Sequence, residues 1–103
     1  MVTSPSADVW RTDDVDDLCA ALMTLETADE FALFLRDLCT YREIDEFASR
    51  WAIARLLASG MPYRGIAEAT GASTATVTRV NQWRHHGAGG YEIAMSRTGD
   101  SNV

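Results

Sequence analysis

A chain of 103 residues with 47% apolar content is long enough for one small domain with a single core, and short enough that a second subunit would add much of its stability. No apolar run approaches the roughly 20 residues that span a bilayer. The start, MVTSPSADVWRTDD, has neither the basic nor the apolar segment of a secretory signal, so the chain reads as cytoplasmic. The net charge of −6 opposes a polyanionic partner on average, but it is unevenly spread: residues 1–48 carry twelve Asp/Glu against three Arg, and residues 49–103 carry three against six Arg.

Residues 1–12 read as a polar leader that includes Trp10. Thr12 is placed to cap a helix whose first turn holds Asp13, Asp14, Asp16 and Asp17, where negative charge suits the helix dipole. Val15, Leu18, Cys19 and Leu22 follow at helical spacing. Thr27 and Glu30 make a Thr-x-x-Glu capping box ahead of a stripe of Phe31, Phe34, Leu35 and Leu38. Thr40 and Glu43 repeat the box before the longest helix, about residues 42–58. That helix has Ile44, Phe47 and Trp51 on one side and Ile53, Leu56 and Leu57 on another. Apolar groups that nearly encircle a helix call for burial on several sides, supplied by a second subunit or by a monomeric bundle. Cys19 and Cys39 lack metal-site or redox spacing and are expected as small core residues.

Ser59-Gly60 stops the long helix, and Pro62 fits the first turn of a short one, PYRGIAEA, which ends at Gly71. Ser73 or Thr74 can cap the next helix, about residues 74–84. Two helices joined by a tight Gly-containing turn make a helix-turn-helix over about residues 62–84. Ala67 is small where the helices would cross, Gly71 suits the turn, and Ile66, Ala72, Val77 and Val80 supply the apolar contacts. The second helix of such a unit enters the DNA major groove, and a run of short side chains permits close approach. Ser73, Thr74, Ala75, Thr76 and Thr78 offer hydroxyls to phosphates or bases and methyls to thymine, with Thr76 the one expected to turn inward or toward a partner. Arg79 and Arg84 are expected at phosphates, and Arg64 at the backbone or a guanine. A solvent-facing threonine run without DNA is the plainer alternative.

The segment LLASGMPYRGIAEATGASTATVTRVN resembles the Trp repressor superfamily, and GASTATVTRVN with the later GGYEIAM is similar to its YerC/YecD-type branch. The resemblance covers about residues 14–97 and implies an all-α, Trp-repressor-like, intertwined homodimer whose paired helix-turn-helix units bind operator DNA. It places DNA contacts at Arg64, Thr74, Ala75 and Thr78. It also implies a ligand pocket between the long helix and the recognition helix. Thr76 and Arg79 match the family's Thr-x-x-Arg-Gly run, but Val80 stands at the glycine, and Ser49 stands at the long-helix arginine with Arg50 beside it. A β-branched side chain where an indole needs backbone clearance predicts that L-tryptophan binds weakly or not at all.

The remaining features are read as structural. His85 and His86 diverge by about 100° on a helix and do not make a metal pair. The GAGG at 87–90 lacks the strand and lysine of a phosphate loop and reads as a hinge before a last helix, YEIAMSR, with residues 98–103 as a tail. Trp51 and Trp83 are expected in the core or an interface. No catalytic constellation, cofactor or metal site stands out. The sequence thus points to a dimeric transcriptional regulator, a repressor on a palindromic operator, with a helix-turn-helix-shaped protein-interaction module or a small-ligand sensor as alternatives.

Overall fold

The computed structural model describes residues 9–98, which contain six α-helices and no strand. The chain divides into two compact units, Met1–Thr40 and Tyr41–Val103. Residues 1–8 of the expected leader and residues 99–103 of the expected tail lie outside the described residues.

The first unit holds α1 (Asp13–Leu22) and α2 (Ala28–Leu38). Thr12 has extended backbone and its Oγ1 accepts the Val15 amide at 3.2 Å, satisfying a donor that the first turn leaves open. Arg11 Nε donates to Asp16 Oδ1 at 2.7 Å. Thr27 Oγ1 likewise accepts the Glu30 amide at 3.1 Å. The Glu30 carboxylate accepts from the Glu26 amide at 2.7 Å, so the expected box closes on the residue ahead of the cap. Neither helix has a fully buried residue. Val15, Leu18, Leu22, Phe34 and Leu35 are half-buried, whereas Met23 and Leu33 are 83% and 67% exposed. The reading of Cys19 as a core residue is corrected, because neither helix of this unit buries a side chain fully: Cys19 is exposed, and Cys39 is half-buried.

The second unit holds α3 (Tyr41–Ala58), α4 (Tyr63–Thr70), α5 (Thr74–His86) and α6 (Gly90–Arg97). Helices α3, α4 and α5 pack on one another pairwise, and α6 packs on α5. Ile53 and Ala54 of α3, Ile66 of α4, and Val77 and Val80 of α5 are completely buried and form the core, with Leu56, Leu57, Met61 and Ala72 packed against it. Each large aliphatic side chain so buried contributes about 1.5–3 kcal/mol. The other side of α3 stays open: Tyr41 is 69% and Phe47 46% exposed.

Pro62 stands one residue ahead of α4 as its N-cap, with the Ile66 amide bonded to its carbonyl at 3.0 Å. Its φ of −65° suits helix entry while its ψ of 153° is extended, which moves the expected start by one residue. Gly71 ends α4 at φ 78°, a left-handed conformation that side chains with a Cβ resist. Thr70 ties the turn together, its Oγ1 donating to the Ile66 carbonyl at 2.7 Å and accepting from the Ala72 amide at 3.2 Å.

Candidate nucleic-acid interface

Ser73 caps α5, its Oγ accepting the Thr76 amide at 3.1 Å. The core position of Val77 and Val80 then fixes which face of α5 looks outward. Thr74, Ala75 and Thr78 are exposed on the side away from the core, with Ser73 exposed at the helix start. Arg64 is exposed on α4 and has no ion pair among the described residues. From Ala69 to Tyr91 there is no carboxylate, so the turn and all of α5 carry no acidic side chain. The excess of acid sits in the first unit, with nine Asp/Glu and two Arg, against six and seven in residues 41–103.

The hydroxyls of this face are not equivalent. Ser73 donates its proton to Thr76 Oγ1 at 3.1 Å, and Thr78 donates to the Thr74 carbonyl at 2.9 Å. Such back-bonding spends the donor inside the helix and leaves the Thr78 methyl as its outward contribution. Thr74 keeps its hydroxyl proton for an external acceptor, having no such bond among the described residues. Arg84 departs from the set. It follows Val77 by seven residues and Val80 by four, and so shares their side of the helix. It is half-buried, its Nη1 bonded to Asn81 Oδ1 at 3.1 Å, and with His85, Tyr91, Glu92, Met95 and Ser96 it lines a cavity of about 260 Å³ beside α6.

A second cavity, of about 300 Å³, lies between α3 and α5. Glu46, Ser49 and Arg50 at i, i+3, i+4 spacing on α3 face Thr76, Arg79 and Trp83 at i, i+3, i+7 spacing on α5, with Ala72 closing the turn side. Four residues singled out in the sequence, Ser49, Arg50, Thr76 and Arg79, are thereby brought together. The fifth, Val80, is completely buried in the core and does not line this cavity. Arg79 Nη2 donates to Thr76 Oγ1 at 3.3 Å, and Thr76 is half-buried as expected of an inward position. Arg50 Nη2 lies 3.9 Å from Glu46 Oε1 and its guanidinium carbon 5.7 Å from the centroid of the Trp83 ring. Trp83, expected in a core or interface, is 42% exposed and forms a wall of this cavity. Its spacing of seven from Thr76 and four from Arg79 was the available signal for that role.

On the far side of Trp83, an apolar groove of about 410 Å³ is lined by Trp51, Gly87, Ala88, Gly90, Tyr91 and Ala94. Burial raises the Tyr91 hydroxyl above its ordinary pKa of 10.0, opposed in part by the charge of Arg50. Among the described residues no group of His, Cys, Asp and Glu is arranged to hold a metal ion, and no helix is long and apolar enough to cross a membrane. His85 and His86 have ring centroids 6.2 Å apart on the last turn of α5.

This arrangement can be set beside known proteins. The family described as Trp repressor protein matches residues 13–99. The chain belongs to the Trp repressor family. A relative from Bacillus subtilis, the uncharacterized protein YerC, is 37% identical over 96 residues, covering 93% of this chain and 92% of that protein. The crystal structure of a TrpR-like protein from Eubacterium eligens superimposes with a TM-score of 0.82 at 38% identity, over 87% of this chain and 93% of that one. A Staphylococcus aureus structure described as a candidate Trp repressor gives 0.80 at 32% identity, over 93% and 94%. The chain therefore has the all-α Trp-repressor-like fold, and its similarity to YerC places it with YerC-type members of the family.

Proposed function

We propose that the chain is a sequence-specific DNA-binding transcriptional regulator of the cytoplasm, a homodimer that represses by occluding a palindromic operator. The observation that carries this reading is the acid-free stretch from Ala69 to Tyr91, whose helix buries Val77 and Val80 and turns Thr74, Ala75 and Thr78 outward. Short side chains let the helix sit deep in a major groove, where Thr74 offers a hydroxyl donor and Ala75 and Thr78 offer methyls to thymine. Arg64 and Arg79 flank this face as base or phosphate contacts, and Ser73 stands at the helix N-terminus where a phosphate is favoured. Arg84 would serve at most the margin of the site, because its side chain is engaged toward α6.

The homodimer rests on apolar surface the single chain leaves uncovered. In the first unit Met23, Phe31, Leu33 and Leu38, and in the second Tyr41 and Phe47, are each more than 40% exposed. Exposed apolar side chains on each unit are candidates for an interaction surface. Two recognition helices related by a dimer axis would meet half-sites one helical turn apart, roughly 34 Å. The acidic first unit would limit non-specific attraction to DNA.

Selection from a randomised duplex pool by purified protein, at low and physiological salt and without effector, tests the reading. Enrichment of a palindrome supports a constitutive dimeric regulator. Enrichment only with added amino acids supports a ligand sensor using the cavity between α3 and α5. Failure under both conditions rejects DNA recognition in favour of a protein-interaction module.

A further inference from the structure

We propose that Trp83 is a positioning residue for α5, a tethered indole clasped by Arg50 that sets the recognition helix against α3 without a bound effector. Val77 and Val80 anchor the first two turns of α5 in the core. Beyond them the position facing α3 is Trp83, and no core residue continues the contact. The ring meets the Arg50 guanidinium at 5.7 Å, inside the range of cation–π attraction. Arg50 is itself steadied from the preceding turn of α3 by Glu46 at 3.9 Å.

Two further observations set this indole apart from a packed core residue. It separates the polar cavity of about 300 Å³ from the apolar groove of about 410 Å³ and carries the Arg50 guanidinium over its ring. At the end of the helix the Gly87 amide bonds to the Trp83 carbonyl at 2.9 Å and closes the last turn of α5, and a Cβ at residue 87 would collide with that oxygen. The contact of the ring with Arg50 ties the last turns of α5 to α3. The α5 face that carries Thr74, Ala75 and Thr78 is rigidly continuous with this end, so its angle is set by the clasp. The consequence for operator affinity rests on the DNA-binding reading; the positioning of α5 does not.

The test compares the full chain with Trp83→Ala, Trp83→Phe and Arg50→Met, each with and without free indole as the probe. Amide hydrogen exchange over residues 73–82 is read first, and affinity for the selected duplex second. Trp83→Ala is expected to lose about tenfold in α5 protection and in duplex affinity, Arg50→Met about two- to fivefold, and Trp83→Phe little. Indole at millimolar concentration is expected to restore Trp83→Ala in both measurements. Wild-type protection in Trp83→Ala, or a loss that neither indole nor phenylalanine repairs, overturns the inference. If Trp83→Ala does not fold, unchanged exchange in Arg50→Met overturns it instead. A wild-type chain that binds no duplex counts against the DNA-binding reading alone, because the exchange measurements still decide the clasp.

Discussion

Trp51 on α3 and Tyr91 on α6 lie with their rings parallel to within 1° and their centroids 6.4 Å apart. The pair joins the last helix to the longest one, and it keeps the Tyr91 hydroxyl partly out of water. Burial favours the neutral phenol, so the folded chain holds this proton to higher pH than the unfolded chain does.

The sign of the pH dependence follows. Above the ordinary value of 10.0 the folded state binds more protons than the unfolded one, and stability falls as pH rises toward the raised pKa. Urea unfolding on both sides of pH 10.0 should show this fall, and Tyr91→Phe should remove its Tyr91-dependent part. Equal pH slopes in the two proteins would deny Tyr91 the effect.

Arg64→Ala should relax recognition at one base position of the operator, costing about 1–3 kcal/mol if the guanidinium is bidentate to guanine. The site preference and affinity of the variant, measured on the selected duplex, check it. An unchanged preference with uniformly weaker binding would move Arg64 to a phosphate.

Thr74 and Thr78 should respond differently to the same change. Thr78→Val removes a hydroxyl already bonded to the Thr74 carbonyl and keeps the outward methyl, so duplex affinity is expected to hold. Thr74→Val removes the uncommitted donor and should cost about 0.5–1.5 kcal/mol. Equal losses would deny the distinction between the two hydroxyls.

Leu33, 67% exposed on α2, should tolerate a charge in a monomer and not in a dimer. Sedimentation of Leu33→Glu is expected to shift from dimer to monomer mass, with helix content retained in circular dichroism. A variant that stays dimeric would move the interface away from this face of α2.

L-Tryptophan should show no saturable micromolar binding in a calorimetric titration. The cavity adds a ground to those read in the sequence. Val80 is in the core, but Trp83's own indole walls the cavity with Arg50, and Ser49 supplies no second guanidinium from α3. Tight binding would mean that the Trp83 ring swings aside.

What the sequence determined by itself is what local chemistry decides. Thr12, Thr27 and Ser73 cap helices because each hydroxyl reaches an amide three residues on, and the Ile66, Val77 and Val80 pattern marks a buried face through helical period alone. The family was legible for the same reason, since its turn and recognition helix occupy one continuous stretch. Only the tertiary structure decided the cavity's walls. Arg50 and Trp83 are far apart in the chain, and nothing local to either fixes the packing of α3 on α5 that brings guanidinium over indole. It also turned Arg84 toward α6 and left Cys19 exposed, because a side chain's burial depends on which neighbouring helix covers it.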